Sequence, residues 1–163
     1  MSSYRILLAT LPIVLVAGHR YLVLLDPAGD VLAELNGLAT SRSGRIKPIG
    51  YLPSDRLKVY ESGRRFYRLD HPQTLLCSGE LPDLLPRWQA AREAMGRLNA
   101  ADLPYPLLGF GRNSNSVVRT LLAVMDLPPQ HRDYRLTPGA RSLLLAQREI
   151  EEIQQQHGLR CGG

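Results

Sequence analysis

Apolar positions follow two rhythms along this chain. Through the first 70 residues they form short runs rich in leucine and β-branched side chains, the pattern of strands. Residues 5–16 read as one strand or a strand pair, 21–25 as a second run and 31–35 as a third. Asp26-Pro27-Ala28-Gly29-Asp30 lies between the last two and supplies turn chemistry, so 21–35 reads as a hairpin. Ser62-Gly63, flanked by 57–61 and 65–69, gives a second hairpin candidate, and 40–44 (TSRSG) is a polar loop. Such local pairings predict an antiparallel sheet.

From residue 81 the spacing changes to threes and fours. Leu84, Leu85, Trp88, Ala91, Ala94, Met95 and Leu98 predict an amphipathic helix over 81–99. Pro82 suits a first turn, and Pro86 predicts that the regular helix starts nearer itself. Residues 103–107 read as an extended link. A second helix is expected over 113–126, ended by Leu127-Pro128-Pro129. A third is expected over 140–157, with Leu143, Leu144, Ile150 and Ile153 inward and Gly158 as its C-cap. Strands first and helices later predict an α+β fold. The antiparallel sheet of the N-terminal half would pack on about three helices in one domain over 1–163.

Composition narrows the class. The 163 residues are 44% hydrophobic and 21% charged, which excludes collagenous, coiled-coil and disordered chains. Two cysteines, Cys77 and Cys161, make no disulfide framework and read as thiols. Net charge is +5, which raises nucleic acid or an acidic surface as partners. The arginines are spread along the chain, though, and the densest run, Arg64-Arg65-Phe66-Tyr67-Arg68, has no nucleic-acid motif around it. It reads as a solvated strand, and nucleic acid is disfavoured. Residues 6–17 resemble a short signal peptide, but Pro12 interrupts the run and the strand pattern continues after it. The run is too short to span a membrane. The expected location is cytoplasmic, or outside by a route without a cleaved signal peptide.

Two features carry candidate chemistry. Gly109-Phe110-Gly111 leads into Asn113-Ser114-Asn115-Ser116, small polar residues that open the second helix and can accept from its orphan N–H groups. A serine there also lies where N–H groups and the helix dipole stabilise negative charge. The second feature is His19, at the head of an apolar strand. With Ala28-Gly29 as the hairpin loop, Val23 faces Glu34 and Tyr21 faces Asn36. Period-two alternation then puts His19, Glu34 and Asn36 on one face. An odd-length loop would move both polar residues to the other face.

An early Gly18-His19-Arg20 strand, a second strand with a polar residue, and the late Asn113-Ser114-Asn115-Ser116-Val117 helix start together resemble the circularly permuted NlpC/P60 papain-like proteins of bacteria. That family places a cysteine nucleophile at the helix start and its histidine base on the strand. The resemblance implies Ser114 in the cysteine position, His19 as base, and Asn36 or Glu34 as the third polar residue. Asn113, Asn115 and Ser116 would form the helix N-terminus that holds the oxyanion. It also implies hydrolysis of amide, ester or thioester bonds in a peptidoglycan peptide or a lipid acyl substrate, including use as an antibacterial effector. Serine departs from the family: its hydroxyl is several units less acidic than a thiol of pKa about 8.5, so it must act by general base catalysis.

The alternative is a catalytically inactive module on the same scaffold, binding a protein or acidic partner. Cys77 is a second candidate nucleophile. No cofactor is expected, and the four histidines show no metal-ligand spacing with each other or the cysteines, so no metal is expected either.

Overall fold

The computed structural model describes residues 3–14, 17–47, 50–106, 111–130 and 141–159. Among the described residues six strands precede three helices: β1 (Tyr4–Val14), β2 (Ala17–Leu25), β3 (Val31–Thr40), β4 (Ile46–Lys47), β5 (Arg56–Ser62), β6 (Gln73–Gly79), α1 (Leu81–Ala100), α2 (Ser114–Val124) and α3 (Gln147–Gln156). The fold is α+β. Every strand pairing is antiparallel, with β4, β3, β2, β1 and β6 in order and β5 on β3. The apolar N-terminal run is therefore spent on β1, which lies between β2 and β6 with Ile6 and Ala9 fully buried.

The first hairpin keeps the expected register, Val23 against Glu34, although its loop differs. The connection runs over 26–30, an odd number of residues. A bulge between Leu24 and Leu25 adds one residue and restores the phase. Gly29, at φ 94°, supplies the left-handed turn position, and Asp30 N–H donates to the Asp26 carboxylate at 2.8 Å.

Three expectations need correction. Residues 65–69 form no strand. β5 pairs with β3 and β6 with β1, so the 57–69 hairpin is absent and the basic-aromatic run is a connection. α1 begins at Leu81 with Pro86 inside it. α3 begins at Gln147 rather than 140, after Ala146 N–H is taken by the Glu149 carboxylate at 2.9 Å. Leu143 and Leu144 still pack on the core, ahead of the helix. Position 140, the Gly109-Phe110 pair and Cys161 lie outside the described residues.

The sheet divides the apolar side chains. Leu22, Leu24, Leu35 and Ala39 face Trp88, Ala91, Leu121 and Leu122 of the helices. Tyr21, Val23 and Leu25 face the other way and pack with Leu7, Ala9 and Tyr67. Among the described residues, no helix is long and apolar enough to cross a membrane.

Candidate functional site

The site is a fork in the sheet. β2 and β3 pair from Leu25 to Leu22 and then separate. β5 occupies one edge of β3 at Ala39 and Thr40, so β4, which pairs with the same two residues, must occupy the edge that β2 has left. His19 and Arg20 thus lie beyond the last β2–β3 pair, and their backbone needs other partners.

Helix α2 supplies them. Asn113 caps it, accepting from Asn115 N–H at 2.8 Å and Ser116 N–H at 3.4 Å, while Ser116 Oγ accepts from Asn113 N–H. The next asparagine reaches outward. Asn115 Oδ1 accepts from Arg20 N–H at 3.1 Å, and its Nδ2 donates to Gly18 C=O at 3.3 Å. One amide side chain therefore mimics a strand across the backbone on both sides of His19. Gly37 allows this approach: a Cβ there would stand 2.6 Å from Val117 Cγ2 and 3.2 Å from Ser114 Cα.

Across the fork, His19 Nε2 and Asn36 Oδ1 are 3.0 Å apart. Asn36 Nδ2 donates in turn to the Glu34 carboxylate at 3.4 Å. With the amide nitrogen facing a carboxylate, Oδ1 faces the ring, so Nε2 must carry the proton and Nδ1 the lone pair. His19 is 3% exposed. Burial pushes its pKa below the usual 6.5, against the opposing pull of Asn36 and the Glu34 charge. The ring is neutral at pH 7, in the form that accepts a proton.

Of the two candidates for the third polar residue, Asn36 touches His19. Glu34 acts one step away and holds more than Asn36: its carboxylate accepts the backbone N–H groups of Arg65, Phe66 and Tyr67 at 2.9–3.2 Å. Those bonds fold the 64–70 segment over the site. Phe66 meets the His19 ring edge to face at 6.1 Å, and Tyr21 stacks on it at 6.0 Å.

Ser114 lies at the same fork, 7% exposed. Its hydroxyl and backbone N–H are hydrogen-bonded to the Tyr105 phenol, whose pKa burial raises and these bonds partly lower. Among the described residues, no hydrogen bond joins Ser114 to His19. The N–H groups of Asn115 and Ser116, expected as oxyanion donors, are consumed by the Asn113 cap. Tyr105 was not visible as a site residue, because 103–107 carries only an extended pattern. It is set by distant contacts: its N–H donates to Asp55 C=O at 2.9 Å, and only glycine at position 50 leaves room for its ring.

Cys77 stands apart on β6, half-buried, with its thiol pKa raised by burial, which disfavours the thiolate a nucleophile needs. Among the described residues, no group of three or more His, Cys, Asp or Glu side chains could hold a metal ion.

Fold and site together define an α+β protein in which the capped start of a helix is wedged into a sheet fork beside a histidine–amide–carboxylate chain. No family model, curated protein or solved structure matches the chain.

Proposed function

We propose that this protein is a papain-like hydrolase of amide, ester or thioester bonds, with Ser114 as nucleophile and His19 as general base. The observation that carries the reading is the His19–Asn36–Glu34 chain, which leaves a neutral imidazole with its lone pair on Nδ1, on a strand whose backbone is held at both sides of His19 by Asn115 of α2. Ser114 turns from Tyr105 toward that nitrogen as substrate enters, and its proton passes to His19 while Oγ bonds the acyl carbon. The carbonyl oxygen takes up the developing charge, with the Tyr105 hydroxyl, released by the Ser114 hydroxyl, as donor. His19 then returns the proton to the leaving group, and water releases the acyl group by the same route reversed. A peptidoglycan peptide or a lipid acyl group is the proposed substrate.

Hydrolysis of 4-nitrophenyl butyrate tests this. Wild type should release nitrophenol, and Ser114→Ala and His19→Ala, each folded by circular dichroism, should not. Activity that survives in Ser114→Ala would end the reading.

A second reading is favoured by one observation. Ser114 and His19 are both buried, and the serine hydroxyl is engaged by Tyr105. A catalytically inactive interaction module would keep the polar chain as an internal brace for the fork. It predicts no turnover of any acyl substrate by well-folded protein.

A further inference from the structure

The 64–70 segment is the part of the molecule that the hydrolase reading leaves without a task. It lines a shallow, open surface groove with Arg64, Arg65, Phe66, Tyr67, Arg68, Leu69 and Asp70. Arg64, Arg65 and Arg68 are exposed there, with the Asp70 carboxylate at the surface and the buried Glu34 carboxylate behind the backbone. Arg68 pairs with Asp70 at 3.1 Å. The Arg65 guanidinium lies 5.2 Å from the Phe66 ring centre, and Arg64 Nε donates to Tyr67 C=O, which leaves the rest of its fork to solvent. Three of the segment's N–H groups, those of Arg65, Phe66 and Tyr67, are taken by Glu34, which fixes the middle of the backbone while the Arg64 and Arg65 side chains stay exposed. Phe66 joins groove to site, with one face of the segment against His19 and the other beneath Arg65. Leu69, 78% exposed, adds an apolar wall. In a second basic groove Arg56 and Lys58 are both tied to Asp102, which leaves Arg42, among the described residues, as its one cation outside that cluster.

We propose that residues 64–70 form an anion-recognition loop for the His19 site, selecting acyl substrates that carry a carboxylate, sulfonate or phosphate group beside an apolar segment. Arg64 and Arg65 hold the anionic group, because planar guanidinium forks match such oxygens and Arg68 is engaged by Asp70. Glu34 sets the loop's shape and Phe66 its distance from the imidazole. The substrate class rests on the hydrolase reading; the anion site itself does not.

The test compares 4-nitrophenyl butyrate with the 4-nitrophenyl ester of 4-sulfobutyrate. Wild type should favour the sulfonated ester in kcat/KM. The preference should fall about tenfold in Arg64→Ala/Arg65→Ala and reverse in Arg64→Glu/Arg65→Glu, as expected for loss of two exposed charge-assisted contacts. Equal use of both esters, or a preference that the variants leave intact, overturns the loop's role while the hydrolase reading stands. If neither ester is cleaved, the hydrolase reading fails alone. Titration of 4-sulfobutyrate against butyrate, followed by the 64–70 backbone amides in NMR, then decides the anion site. Shifts specific to the sulfonate and lost in Arg64→Ala/Arg65→Ala sustain it, and their absence overturns it.

Discussion

An amide set between an imidazole and a carboxylate has its two ends distinguished by charge, and at Asn36 that distinction fixes the proton on His19. Glu34 attracts Nδ2, Oδ1 turns to the ring, and Nε2 becomes the donor. Nitrogen NMR should therefore find the Nε2–H tautomer at neutral pH. Asn36→Ala removes the constraint and should lower kcat about tenfold, the worth of one buried hydrogen bond in the orienting of the base. The His19 pKa gives a second test. The folded state depresses it below 6.5, so the unfolded chain binds the proton more readily. The stability that the neutral ring contributes is complete above pH 6.5 and is lost as pH falls through the lower folded value. Urea unfolding of wild type should weaken across that window, and His19→Gln should flatten the loss there. Asp55 adds a separate loss at lower pH, since its hydrogen bonds with Lys47 hold its carboxyl below the usual 3.8.

At the level of elements, everything at the site depends on α2 entering the fork. Gly37→Ala puts a methyl group into Val117 and should cost about 1–3 kcal/mol in chemical denaturation, the usual range for overpacking. Asn113→Ala, which removes the cap, should cost about 1 kcal/mol. Asn115→Ala loses both bonds to β2. It should slow catalysis more than it lowers stability, because the backbone it releases carries His19. The hairpin shows why part of the site was legible. Its register follows from alternation and turn chemistry, both local, and these alone put Glu34 and Asn36 on the face of His19. The bulge that rescues an odd loop leaves Leu32 as the extra residue opposite Leu24-Leu25, and nothing in Val31-Leu32-Ala33 marks it, so the correct face follows from a loop length that does not occur.

Across the whole molecule the illegible parts share one cause: they are held by contacts distant in sequence. The 65–69 stretch looks like a strand because Phe66, Tyr67 and Leu69 give a short aromatic and apolar run. It is a loop because a carboxylate some 30 residues earlier collects three of its N–H groups. Tyr105 is held against Ser114 by Asp55 and Gly50, neither of which announces itself beside 103–107. β4 is only two residues long, yet it takes the edge of β3 beyond the fork, at Ala39 and Thr40. The helices, by contrast, follow a local apolar period and were readable, α3 excepted in its first turns, where a run of leucines packs inward without being helical.

The central claim is that Ser114 is a nucleophile activated by His19, and covalent trapping tests it most directly. Wild-type protein would be treated with a fluorophosphonate and digested, and the modified peptide sequenced by mass spectrometry. The account predicts one adduct, on Ser114, and none in a folded His19→Ala variant. An adduct on another residue, equal labelling without His19, or no adduct at all would contradict it.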